Sequence, residues 1–187
     1  MPGSRLFLAL VPDKDIVDLL STAQSALKLT LKDYALRWEN PVKFHMTLRF
    51  LGDVEDHKTE SLVNILDRIK FDFDELNFDT FEIGFFPNSR YPNVVFAGFK
   101  ERRSDSEFMV ESIDSIIKSF GIKPDKKFVP HITLGRFDRS KRKKSEGLVV
   151  PPLPKALAVF ESFSLMKSTL KQGGSEYTEL YKFNFQK

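Results

Sequence analysis

Two short segments of the chain set an imidazole beside a hydroxyl. They are His45-Met46-Thr47-Leu48 and His131-Ile132-Thr133-Leu134, with the two histidines 86 positions apart in 187 residues. In an extended strand residues two apart share a face. His45 with Thr47, and His131 with Thr133, therefore project together, while Met46, Leu48, Ile132 and Leu134 turn to the core. One His-x-Thr alone reads as a surface or satisfied histidine. Here the chain holds only three His, and two recur in matching surroundings. No His-Glu-x-x-His spacing occurs and no carboxylates accompany the repeat, so metal ligation is disfavoured and acid–base work is favoured. Two opposed imidazoles suit displacement at phosphorus, where an entering water loses a proton on one side and a leaving alkoxide gains one on the other. An unperturbed pKa of ~6.5 lets one imidazole act as base while the other acts as acid. Thr47, Thr133 and nearby backbone N–H groups would hold the non-bridging phosphate oxygens.

Two arginines follow the motifs. Arg49 has the parity of His45 and Thr47, so it is a candidate substrate contact, with a solvated strand-end cation as the alternative. Arg136 would face away from His131 by strict alternation; a phosphate-binding role needs a bulge or strand end, which Gly135 permits. His57 falls among charged residues at a helix start and reads as a solvated side chain. Tyr91, in a Pro-rich loop, is a candidate for stacking on a base.

The elements that must position these groups are legible from periodicity. Leu6 to Val11 reads as a strand, and Pro12-Asp13 opens a helix whose apolar face carries Ile16, Leu20, Ala23 and Leu27. Phe44 to Phe50 alternates and runs to a turn at Leu51-Gly52-Asp53. A second helix follows, with Glu55 and Asp56 at its start, where the helix dipole favours acids. Phe78 to Phe86 and Asn93 to Lys100 form an expected antiparallel pair around the Pro87 to Pro92 loop. Ser104 and Glu107 give a capping-box pattern for a third helix that ends at Gly121. Phe128 to Phe137, Leu157 to Met166 and Tyr177 to Phe185 read as further strands, the last two joined by a hairpin at Lys171-Gln172-Gly173-Gly174. The repeat, each copy on a strand after a helix, suggests two related lobes facing each other.

Composition narrows the setting. Zero Cys removes disulfides, cysteine nucleophiles and Cys-ligated metal, and fits a reducing cytoplasm. The longest early apolar run, Leu6 to Val11, is too short to span a bilayer or serve as a secretory signal, so a soluble, cytoplasmic protein without a membrane partner is expected. The net charge is +3, yet Arg136 to Lys144 alone carries six basic residues against Asp138, or +5, so the remainder sums to −2. This basic loop, Arg139 to Lys144, is either a solvated segment or a polyanion contact.

The sequence resembles the two-histidine phosphoesterase superfamily, and within it the RNA 2′,3′-cyclic phosphodiesterases, or 2′-5′ RNA ligase-like proteins. The resemblance spans nearly the whole chain: Arg5-Leu6-Phe7-Leu8-Ala9-Leu10, Leu36-Arg37-Trp38, both histidine motifs, Phe86-Pro87-Asn88, Phe160-Glu161-Ser162 and Tyr177. It implies a single domain over residues 1–187 made of two intertwined lobes. The implied fold class is α+β and bilobal, with two pseudo-symmetric lobes whose antiparallel sheets line a central cleft and helices on the outside. It also implies no cofactor and no metal, and as substrate an RNA with a 2′,3′-cyclic phosphate end or a cyclic nucleotide, hydrolysed to a 2′-phosphomonoester; nothing in the sequence suggests an obligate interface, so a monomer is expected. His45 would be the proton donor and His131 the acceptor, roles that the symmetry of the sequence itself does not assign. Thr47, Thr133, Arg136 and Arg49 would bind substrate, with Gly135-Arg136 replacing the usual Ala-Arg. Joining or cleaving 2′-5′ linkages, or nucleotide binding without turnover, are the alternatives; intact His and Thr in both motifs argue against the last.

Overall fold

The structure is a computed structural model that describes residues 3–124, 126–141, 148–172 and 174–185. Among these described residues nine strands and three α-helices are ordered β1 (Gly3–Leu10), α1 (Lys14–Thr30), β2 (Leu36–Trp38), β3 (Met46–Glu55), α2 (Asp56–Leu66), β4 (Leu76–Phe86), β5 (Val94–Glu101), α3 (Asp105–Ser119), β6 (His131–Phe137), β7 (Leu157–Phe160), β8 (Ser162–Lys171) and β9 (Gly174–Asn184). Two antiparallel sheets result, one ordered β3-β1-β8-β9 and the other β2-β6-β5-β4-β7. The first gathers strands from both ends of the chain and the second takes the middle, with β2 crossing from the early segment to pair with β6. The expected two-lobed α+β arrangement is thus present, its helices peripheral. The units β1-α1-β3 and β5-α3-β6 correspond, each placing a histidine strand beside its own first strand.

Local chemistry explains the elements. Asp13 caps α1, its carboxylate accepting from the Ile16 N–H at 2.9 Å. The helix buries Ile16, Leu20, Ala23 and Leu27, and also Gln24. In α3 the expected capping box does not form: Ser104 makes no side-chain cap bond. Instead Glu101, at the end of β5, accepts from the backbone N–H and the hydroxyl of Ser106. Gly121 follows the helix with φ 77°, a conformation costly for any other residue. The turn expected at Gly52 is instead a bulge within β3, where Gly52 has φ 70° and β3 runs on to Glu55. The single strand expected from Leu157 to Met166 is two: β7 pairs with β4, and after Glu161 β8 joins β1 in the other sheet. Lys171 pairs with Gly174 at the β8–β9 hairpin; Gly173 lies outside the described residues.

One continuous core joins both sheets and the helices. β1 is central in its sheet and buries every residue from Leu6 to Leu10, which is why its sequence is continuously apolar rather than alternating. Of the many phenylalanines, Phe71, Phe73, Phe163 and Phe185 pack ring against ring in this core. Among the described residues no helix is long and apolar enough to cross a membrane.

Candidate active site

β3 and β6, the edge of one sheet and an inner strand of the other, approach each other. His45 immediately precedes β3 and His131 opens β6, and both line a cleft of about 1020 Å³ with Thr47, Thr133 and Arg136. Each ring is held alike. The Lys43 carbonyl lies 2.7 Å from His45 Nδ1, and the Val129 carbonyl 2.7 Å from His131 Nδ1. A carbonyl only accepts, so Nδ1 carries the proton in both rings and Nε2 is the nitrogen left for chemistry.

Aromatic rings complete each seat. Phe7 and Tyr177 flank His45 at 5.0 and 5.1 Å, and Phe86 and Phe96 flank His131 at 4.9 and 5.4 Å. Phe86 and Phe96 are themselves stacked at 4.2 Å, and the Phe96 ring lies over Gly84, where an added Cβ would come within 2.2 Å of it. Burial in these seats pushes both imidazoles below the usual histidine range, because desolvation penalises the charged ring. The carbonyl bonds act the other way. The remaining influences differ: the Glu39 carboxylate favours protonated His45, while His131 and Arg136 oppose it. Among the described residues no acidic group acts on His131 in this way, and it is further depressed by Arg136. Burial also raises the Tyr177 phenol, keeping it neutral.

Strand geometry decides where the arginines go. β1 steps from Leu8 to Ala9 while β3 steps from Arg49 to Thr47, so Leu48 is an extra, bulged residue. β5 steps from Val95 to Phe96 while β6 steps from Gly135 to Thr133, which makes Leu134 the bulge. Both bulges fall three residues after the histidine and reverse the parity beyond them. Arg136 is thereby exposed and lines the cleft with His131 and Thr133, as a bulge was expected to allow. Arg49, expected on parity beside His45 and Thr47, is turned the other way. It borders the cleft wall but is only 6% exposed, and its guanidinium makes a bidentate pair with Asp114 of α3 at 2.6 and 2.9 Å. Phe50 takes the place in the first strand that Arg136 holds in the second; it is 54% exposed and lines the cleft.

Among the described residues the charged lining of the cleft includes Arg5, Arg37, Lys43, Lys127, Arg136 and Arg139 against a single carboxylate, Glu39. Gly135 allows Trp38 to lie close, since a Cβ there would sit 3.0 Å from the indole. His57 lies at the exposed start of α2, 3.6 Å from a Glu55 carboxylate oxygen. Tyr91 is exposed outside the cleft lining. Of the basic loop, Arg139 and Lys141 form a 3₁₀ turn, and Arg142, Lys143 and Lys144 lie outside the described residues. Among the described residues no three His, Asp or Glu side chains gather as metal ligands would. Phe7, Phe86, Phe96, Glu39 and Phe50 went unremarked in the sequence as site residues. Phe7, Phe86 and Tyr177 had a signal in the motif resemblance; for Phe50 alternation pointed instead to the core.

Two facing sheets, each presenting a His and a Thr from matching strands into one cleft, define the two-histidine phosphoesterases. The chain belongs to the LigT-like phosphoesterase family, whose model matches residues 10–96 and 106–177. It is 28% identical over 183 residues to an RNA 2′,3′-cyclic phosphodiesterase of Methanothermobacter thermautotrophicus, covering 96% of this chain and 97% of that one. A Thermus thermophilus RNA 2′,3′-cyclic phosphodiesterase is 30% identical over 194 residues, with coverage of 96% and 89%. Among solved structures, E. coli LigT complexed with 3′-AMP matches 99% of both chains with a TM-score of 0.81 at 24% identity, a likeness of fold. The T. thermophilus protein TT0787 matches 97% of both chains with a TM-score of 0.75 at 29% identity.

Proposed function

We propose that the protein hydrolyses RNA 2′,3′-cyclic phosphate ends, leaving a 2′-phosphomonoester, by acid–base catalysis between its two histidines. The observation that carries this reading is the pair of mirrored seats: each imidazole is fixed through Nδ1 and offers Nε2 to one cationic cleft. In the proposed reaction His131 Nε2 takes a proton from water, the water oxygen bonds to phosphorus, the P–O3′ bond breaks, and protonated His45 delivers its proton to O3′. Glu39 supports that direction by favouring the charged form of His45, while Arg136 disfavours charge on both rings. Thr47, Thr133 and Arg136 hold the non-bridging oxygens, where charge builds up in the transition state. Phe50 offers an exposed ring in the cleft on which the terminal base stacks. The curated relatives act, by name, on the same cyclic end.

His45→Ala and His131→Ala are each expected to cut turnover of a cyclic-ended oligoribonucleotide by about 10²–10⁴-fold, the range for general acid–base catalysis, with circular dichroism unchanged. Wild-type rates in either variant would refute the mechanism. Joining would use the same groups with a strand's 5′-hydroxyl in place of water: O5′ bonds to the phosphorus of the cyclic phosphate, P–O3′ breaks with protonation of O3′, and a 2′-5′ linkage forms, read out by adding a 5′-hydroxyl strand to a cyclic-ended RNA.

A further inference from the structure

The two bulges that aim the cleft residues are each tied to the helix of the opposite unit. Gln24 on α1, only 2% exposed, donates its Nε2 protons to the carbonyl of bulged Leu134 at 2.9 Å and to the carbonyl of Glu39 at 2.7 Å. The Leu134 carbonyl also accepts from the Glu39 N–H at 2.9 Å. On the other strand, Arg49 Nη1 donates to the carbonyl of bulged Leu48 at 2.9 Å, while Nε and Nη2 are held by Asp114 of α3. So α1, from the unit that carries His45, reaches the His131 strand, and α3, from the unit that carries His131, reaches the His45 strand. A bulge disturbs the ladder, and a buried carbonyl needs a donor. Arg49 supplies one to Leu48, and Gln24 adds a second to the Glu39 N–H at Leu134, tying that carbonyl to α1.

We infer that Gln24 and the Arg49–Asp114 pair are positioning residues, reciprocal latches that fix the two bulges and thereby aim Arg136 and Phe50 into the cleft. The inference rests on the phosphodiesterase reading for its catalytic readout, though not for its geometry. Without the Gln24 latch, β6 can slip toward regular pairing, which returns Arg136 to the opposite face. Without Asp114, Arg49 no longer has a reason to stay buried, and Phe50 loses its aim.

The test is a pair of double-mutant cycles on the full chain, read as kcat/KM for adenosine 2′,3′-cyclic phosphate. Gln24→Met keeps side-chain length and loses both donors. It is expected to cost about tenfold or more in the wild-type background and less than about twofold beside Arg136→Ala, where the contact it disturbs is already gone. Asp114→Asn is expected to depend in the same way on Phe50→Ala. Equal fold-losses in both backgrounds, or loss of the folded state by circular dichroism, would make the latches merely structural and overturn the inference. Should wild type fail to turn the substrate over, the proposed function falls and the first cycle is read on calorimetric binding of inorganic phosphate. There Gln24→Met must weaken binding to the Arg136→Ala level; unchanged affinity refutes positioning.

Discussion

Each imidazole is oriented by the carbonyl two residues before it, so its tautomer is set by backbone rather than by a carboxylate partner. Both rings are pushed below the usual range by burial. A bell-shaped profile of kcat/KM against pH needs one ring neutral and the other charged, and the depressed values belong to the free enzyme. Both limbs are therefore expected below ~6.5, with the optimum on the acid side of that value; an optimum well above neutrality would contradict the burial account. Glu39→Gln removes the carboxylate that favours charged His45. The basic limb, which reports the proton donor, is expected to move to lower pH, and a profile that stays in place would leave Glu39 without a role. The same depression makes the free protein less stable in mild acid. The unfolded chain takes up protons at ~6.5 that the folded rings resist, so stability falls as pH drops through that value toward the folded pKa values. Thermal melting at a series of pH values reads this out.

At the level of elements, the decisive features are the bulges after each histidine. The strands, the helices and the shared face of His and Thr follow from periodicity, since apolar spacing reports directly which face is buried. A one-residue insertion into the ladder leaves no mark in composition, yet it reverses the side chains beyond it up to the next irregularity. That is why Arg49 looked cleft-facing and lies in the interior, and why Phe50 looked buried and lies in the cleft. Gly135 gave a partial signal for the second bulge; Leu48 gave none for the first. Gln24 was similarly hidden, because a polar residue on a helix is assumed solvated unless its partner is known. The β4–β5 pair supplies another test. Gly84→Ala drives a methyl into the Phe96 ring, which abuts His131. It is expected to cost about 1–3 kcal/mol of stability, as overpacking does, and to lower kcat through the displaced ring. Unchanged melting and turnover would show that Phe96 yields freely.

On the scale of the whole molecule, two sheets drawn from interleaved parts of the chain bring one repeated motif to both walls of a cleft. The resemblance of the two halves was legible because both motifs survive almost letter for letter, whereas the assignment of β2 to the opposite sheet was not, its three residues being too few to show a period. The cationic lining suits a polyanion longer than one nucleotide. If four RNA phosphates are neutralised, KM for a cyclic-ended oligoribonucleotide should rise about 50-fold between ~50 and ~200 mM salt, against about threefold for a cyclic mononucleotide. Equal salt dependence would confine recognition to the terminal nucleotide. The most direct test of the central claim is to incubate the wild-type protein with an oligoribonucleotide ending in 2′,3′-cyclic phosphate and identify which hydroxyl keeps the phosphate. A 2′-phosphomonoester, formed by wild type and lost in both histidine variants, is the predicted result. An unchanged cyclic end, or a 3′-phosphomonoester, would contradict it.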